Sequence, residues 1–224
     1  MLMNHLLWLP LLCIEALFTL KWYRLCGFFM ALPHGHFGFS HRQPSTRAII
    51  NYARPPRLAI ISRTIRRDLH APLRLFKTIE IVHLYQHASY GDMKKEDFES
   101  TRTLQFHSMR ELYSLLVALK PTVVQVPEPW ANKTSFVAAI LVWRYAYRFH
   151  PRVIMPVFEN RPLDDKLSSG KRMLIRVLMR RLDRYVDAYI VLNNGAKRLL
   201  TTLTIPDSKI KKLLWGSWGI NLNE

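Results

Sequence analysis

Cysteine is almost absent from this chain. Cys13 and Cys26 both fall within the first 32 residues. The rest of the chain can therefore hold neither a disulfide framework nor a cysteine-based zinc site, which suits a reducing compartment without demonstrating one. Glycine is scarce as well, eight in 224 residues. None of the eight builds a Gly-x-Gly-x-x-Gly fingerprint or a Walker-type Gly-Lys-Ser/Thr loop, which argues against those two ways of holding phosphate. Gly-x-Ser-x-Gly and the helical zinc-protease motif are missing. His70, His83, His87, His107 and His150 lack metal-ligand spacing. No metal or resident cofactor is expected, and His83, inside an apolar strand, reads as a core histidine. Acid is also in short supply: 16 Asp plus Glu against 33 Lys plus Arg, a net charge of +17. That surplus favours anionic partners, whether acidic lipid headgroups, nucleic acid or phosphorylated substrates, and does not choose among them. There is no internal repeat and no low-complexity tract.

What is present is enough apolar material to bury a core. Hydrophobic residues make up 49% of the chain, which excludes a disordered tail. Residues 1–32 are apolar and aromatic, with an unbroken run from Leu6 to Ile14 that contains Pro10 and is then interrupted by Glu15, Lys21 and Arg24. A spanning helix needs roughly 20 mostly apolar residues, so this stretch is marginal. It also lacks the basic start and small-residue cleavage site of a signal peptide. A membrane span, an interfacial helix and a loosely ordered extension all remain open. Residues 33–56, with Pro33, Gly35, Gly38, Pro44, Pro55 and Pro56, read as a linker. Residues 1–56 are thus expected to be an appended extension.

From Arg57 the pattern becomes regular. Short apolar runs predict strands at 58–61, 79–85, 122–126, 152–158, 188–192 and 210–214, although Pro156 weakens the fourth or places a bulge there. Helical periodicity fills 107–119, 132–149, a stretch from Ser168 or Ser169 to about Tyr185, and 195–203, the last capped by Asn193 or Asn194. Alternating strands and helices with apolar strands predict an α/β fold: a Rossmann-like parallel sheet with helices on both faces, spanning 57–215.

In open parallel sheets, ligands bind outside the carboxyl ends of the strands. The residues expected there are Ser62-Arg63, Tyr85-Gln86-His87, Pro127-Glu128-Pro129-Trp130, Glu159-Asn160-Arg161 and Asn193-Asn194-Gly195. Such side chains suit a polyhydroxylated ligand, but polar residues also simply begin where strands end. Glu159 is a candidate general base if burial raises its carboxyl; capping the next segment or pairing with Arg161 is the structural alternative. Glu128 is held between two prolines and suits a positioning role or a turn. Arg63, Arg66 and Arg67 follow the first strand and suit an anionic group, or form a solvated basic loop. The helix carrying Lys171, Arg172, Arg176, Arg180, Arg181 and Arg184 is basic on one side and apolar on the other. It suits either an anionic membrane surface or simple packing on the sheet.

Three segments carry a resemblance. Lys120-Pro121-Thr122-Val123-Val124-Gln125-Val126-Pro127-Glu128-Pro129, Asp187-Ala188-Tyr189-Ile190-Val191-Leu192-Asn193-Asn194-Gly195-Ala196 and the stretch from Lys209 to Asn221 resemble, in order, motifs of family 4 retaining glycosyltransferases of the two-domain GT-B fold. The resemblance covers about 57–224 and implies the N-terminal, acceptor-side half of such an enzyme. The donor-binding half, with its paired-Glu motif, is not part of this sequence, and 216–224 resembles the link that leads into it, cut short. Three departures stand out. The family's frequent Gly-rich loop is replaced by Ser62-Arg63-Thr64-Ile65-Arg66, its frequent His after the strand 152–158 by Glu159-Asn160, and the Asp of its link by Asn221.

The resemblance implies sugar transfer from a nucleotide-sugar donor to an acceptor hydroxyl, with negligible activity from this chain alone. Glu159 is the expected catalytic residue, and Glu128, Asn160, Arg63, Arg66 and Asn193 the expected acceptor-binding residues. Expected partners are a sugar or lipid-linked acceptor, a second chain carrying the donor-binding domain, and an anionic membrane surface, with the protein cytoplasmic and peripheral on the membrane's inner face. The alternative is a non-enzymatic basic module that holds anionic lipid or a protein. Nucleic-acid binding would rest on charge alone, since no recognition helix or stacking motif supports it.

Overall fold

The computed structural model describes residues 55–65, 76–88 and 102–213. The apolar extension as far as residue 54, Arg66 and Arg67, and the expected hinge 216–224 lie outside the described residues. Within them, seven strands form one parallel sheet: β1 (Arg57–Ile65), β2 (Glu80–Ala88), β3 (Arg102–Gln105), β4 (Val123–Gln125), β5 (Arg152–Val157), β6 (Val186–Val191) and β7 (Ile210–Lys212). Their order across the sheet is β3-β2-β1-β4-β5-β6-β7. The helices are α1 (Met109–Leu119), α2 (Lys133–Phe149), α3 (Ser169–Leu182) and α4 (Asn194–Thr202).

The strand order reverses between β1 and β4. The connections that carry α1 to α4 all advance across the sheet in one direction, so right-handed crossovers place these helices over one face. In keeping with this, α1 packs on α2 and α2 on α3. The β1–β2 and β2–β3 connections run the other way, and most of their residues lie outside the described ones. At the sheet's centre, Ala59, Ile60 and Ile61 are consecutive and buried, as are Ile81, Val82, His83 and Leu84. Successive side chains point to opposite faces, so these runs require cover on both sides, as the parallel-sheet expectation had it.

Local chemistry explains the element boundaries. Ser108 accepts a bond from the Glu111 N–H, and the Glu111 carboxylate reaches back to the His107 N–H, 2.8 Å away. This capping arrangement starts α1. Asn132 and Asn193 cap α2 and α4 by accepting from Ser135 N–H (2.9 Å) and Ala196 N–H (2.8 Å). Both α1 and α2 end in a left-handed residue, Lys120 (φ 48°) and His150 (φ 51°), whose N–H bonds back to Leu116 and Ala146 respectively. A proline follows each, which prevents the helix from continuing. Arg57 then locks the start of the sheet. Its guanidinium pairs with Glu80 on β2 and donates to the Leu119 carbonyl at the end of α1, while its N–H donates to Thr122 Oγ1 at 2.9 Å.

Two differences from expectation have physical reasons. Strand β3 went unanticipated because Arg102-Thr103-Leu104-Gln105 is a short, half-exposed edge strand with one strongly apolar residue, so it carries no burial pattern. Pro156 sits inside β5, and the register irregularity falls at Val153/Ile154 instead. The Ile154 carbonyl accepts from Val126 N–H on the β4 side. By the two-residue alternation, the Pro156 nitrogen faces that same side, just past the last β4 residue, so the missing N–H removes no needed ladder bond.

Ser168, by contrast, stands at the α3 N-cap with no side-chain cap bond. Asn132→Ala is expected to cost about 1 kcal/mol of unfolding free energy and Ser168→Ala close to nothing. Urea denaturation of the two variants checks the contrast, and equal losses would contradict it.

Candidate functional site

The reversal of strand order puts a crevice at the carboxyl ends of β1 and β4, where open α/β sheets receive ligands. Two interactions draw neighbouring elements toward it. Gln86, near the end of β2, accepts from the Thr134 hydroxyl in the first turn of α2 at 2.8 Å. The loop after β4, Pro127-Glu128-Pro129-Trp130, turns into α2 with Pro129 and Trp130 buried. Trp130 is buried at 3% exposure, and its indole N–H has no hydrogen-bond acceptor among the described residues. Such an orphan donor costs on the order of 1–3 kcal/mol.

Glu128 is the joint of this region. One carboxylate oxygen accepts from two successive backbone N–H groups at the end of β5, Phe158 at 2.7 Å and Glu159 at 2.9 Å. Burial pushes the Glu128 carboxyl above its ordinary value, against the opposing pull of these two donors and of Lys166. The flanking prolines restrict the backbone on either side, so the carboxylate is delivered in one place.

At Glu159 the pairing alternative is the one the structure shows. Lys166 bonds its carboxylate, and Arg161 donates to it through both Nε (3.1 Å) and the backbone N–H (3.2 Å). The Lys166 contact, aided by Arg161, holds the Glu159 carboxyl down at about 2 in spite of partial burial. A carboxylate that weakly basic is a poor proton acceptor at neutral pH. The raised value expected for a general base is therefore not found, and the pairing alternative is. Lys166 was not anticipated: it lies seven residues on, beyond the short 3-10 turn Leu163–Asp165, and no sequence period signals that return.

Asn160 and Asn193 come together through Gly195. A Cβ added to Gly195 would lie 2.6 Å from the Asn160 carbonyl oxygen and 2.9 Å from its Cβ. Only glycine at the second position of α4 lets the loop after β5 rest on the loop after β6. Asn193 spends its side-chain oxygen on the α4 cap, and Asn194 accepts from Lys212 at 2.9 Å.

The structure thus gathers Glu128, Glu159, Asn160 and Asn193 along the ends of β4, β5 and β6. Arg63 is placed differently from expectation. Strand β1 continues through Ser62, Arg63 and Thr64 to Ile65, so Arg63 is an exposed strand residue and not part of a following loop. Arg66 lies outside the described residues. Tyr85, Gln86 and His87 likewise belong to β2 itself. His83 is buried, with Nε2 2.8 Å from Ser62 Oγ, as a core histidine should be.

No protein-family model matches this sequence, and no curated protein matches it significantly. Solved structures share its fold. HepE of Anabaena in complex with UDP-glucose superposes with a TM-score of 0.50 at 9% identity, over 70% of this chain and 43% of that one. UDP-GlcNAc 2-epimerase of Methanocaldococcus jannaschii gives a TM-score of 0.44 at 18% identity, over 70% and 45%. The Neisseria meningitidis UDP-GlcNAc 2-epimerase bound to UDP-GlcNAc gives 0.41 at 18%, over 69% and 44%. The chain spans less than half the length of each. What is shared is a Rossmann-like α/β sheet.

Two outcomes follow from the carboxylates. Glu128→Gln keeps a carbonyl for Phe158 and Glu159 and should leave stability at pH 7 unchanged or raised, whereas Glu128→Ala strands two backbone donors and should cost about 2 kcal/mol. Chemical denaturation distinguishes them. The Glu159 carboxyl titrates below its usual 4.5 in the folded state. Its stabilising contribution is therefore present above pH 4.5 and lost as pH falls toward 2. Glu159→Gln should flatten the melting-temperature profile over that window, and an unchanged slope would contradict the pairing.

Proposed function

We propose that this chain is the acceptor-side domain of a retaining, family 4-type glycosyltransferase of the GT-B fold. One observation carries the reading. The loops after β4 and β6 lie at the ends of two of the segments that resemble the family's motifs, and the loop after β5, which departs from the family, is tied between them by Glu128 and by the Asn160–Gly195 contact. The shared fold with UDP-sugar-bound HepE is consistent with it. In this reading the chain presents an acceptor hydroxyl to a nucleotide sugar held mainly by a second domain. The new glycosidic bond forms to that hydroxyl oxygen with retention, and the bond to the nucleotide diphosphate breaks. Stabilising the departing diphosphate electrostatically falls chiefly to the second domain.

Roles within the edge follow the geometry. Glu128 is a positioning residue that sets the loop after β5. Glu159, ionised and fixed between Lys166 and Arg161, accepts a hydrogen bond from an acceptor hydroxyl and orients it, in place of the base role. Asn160, exposed, contacts the acceptor. Asn193 acts through the α4 cap. Arg63 and Arg66 are assigned to anionic groups of the acceptor. A sugar or lipid-linked acceptor, and a partner chain bearing the donor-binding domain, complete the system. No helix among the described residues is long and apolar enough to cross a membrane.

Sugar transfer from UDP-glucose by the purified chain alone should not exceed the blank. Steady turnover by residues 1–224 without a second polypeptide would overturn the half-site reading.

A further inference from the structure

Helix α3 presents a line of uncompensated charge. Arg176 and Arg180 lie one helical turn apart, and Arg184 in the following turn continues the line; all three are exposed. Like charges four residues apart destabilise a helix by a few tenths of a kcal/mol per pair, so solvation alone gives no reason for the arrangement. Neither α3 nor α2 contains an acidic residue. The acid nearest in sequence, Asp183, is already engaged by Lys209 and by the Tyr189 hydroxyl. Arg172 pairs with Asp164, and Arg181 lies over the Trp143 ring at 5.5 Å. Arg176, Arg180 and Arg184 have no acidic partner among the described residues.

Large apolar side chains stand exposed on the same pair of helices. Met173, one turn before Arg176, is 63% exposed, and Tyr147 and Phe149 at the end of α2 are 59% and 36% exposed. Tyr147 meets Tyr185, next to Arg184, edge to face at 6.5 Å. The two helix ends therefore meet at Tyr147 and Tyr185. The apolar stripe of α3 (Ile175, Leu178, Met179 and Leu182) is buried in the domain, so the helix cannot insert. It can only lie flat, with arginines toward an anion layer and Met173 and Tyr147 as shallow contacts.

We propose that the α2–α3 face is an adsorption surface for an anionic lipid bilayer. Two features favour lipid over nucleic acid. The surface is the flank of two packed helices with no projecting recognition element. The same chain also carries the apolar run Leu6 to Ile14, and a basic patch adds electrostatic attraction to an anionic leaflet beside any apolar contact. The inference does not depend on sugar transfer.

The test uses the full chain and sedimentation with vesicles of phosphatidylglycerol and phosphatidylcholine, against pure phosphatidylcholine, at 0.05 and 0.5 M salt. Binding should require the anionic lipid and fall steeply with salt. Arg176→Glu/Arg180→Glu should weaken it by about tenfold or more, since each basic residue near an anionic surface contributes several-fold. The control Lys77→Glu/Arg102→Glu carries the same change of charge to exposed positions near the other edge of the sheet and should change binding less than about threefold. Equal losses from the two pairs, or no loss from either, would overturn the proposal. So would loss of single-stranded RNA binding in the α3 variant with vesicle binding intact. All four sites are exposed, and an unchanged thermal melt confirms that each variant folds.

Discussion

A single carboxylate oxygen sets the arrangement of the strand ends in this domain. Glu128 leaves the end of β4 between two prolines and accepts the N–H groups of Phe158 and Glu159. By the same alternation as Ile154 and Pro156, the Phe158 N–H faces the β4 side beyond the last β4 residue, Gln125, and Glu128 supplies the acceptor there. Burial disfavours the charge, while the two backbone donors favour it. From this anchor the loop continues to Glu159, where Lys166 and Arg161 fix a second carboxylate. It then reaches Asn160, whose backbone rests on Gly195. Three strand ends are connected by backbone and side-chain contacts in which each partner limits the next.

Much of this was legible before any coordinates. Apolar runs and caps such as Asn132 and Asn193 are local signals, and they placed six of the seven strands and all four α-helices among the described residues. Glu128, Glu159, Asn160 and Asn193 were legible as neighbours because a parallel sheet brings its carboxyl ends to one side. Three things were not. Strand β3 exists by pairing with β2 more than by its own apolar content. The ionisation of Glu159 depends on Lys166, which arrives through a short turn that no periodicity announces. The extension of β1 through Ser62-Arg63-Thr64 is set by pairing with β2, Ser62 to Tyr85 and Thr64 to His87, where the polar run suggested a loop.

The charge of +17 is organised and not merely spread. Around the strand ends, lysine and arginine are spent on acids and on an amide: Lys166 and Arg161 on Glu159, Arg172 on Asp164, Lys212 on Asn194. Along the outer side of α3, Arg176, Arg180 and Arg184 meet no acid among the described residues. The strand ends thus carry a hydrogen-bonded, internally paired polar edge, while the flank of α3 carries exposed arginines.

Backbone-amide NMR during titration with an alkyl glucoside, a hydroxyl-bearing acceptor mimic, bears most directly on the claim that the strand ends form an acceptor surface. The account predicts shifts concentrated at residues 127–130, 158–161 and 193–196, with none of comparable size from UDP-glucose alone. Shifts confined to other parts of the domain, or tight binding of UDP-glucose by this chain, would contradict it.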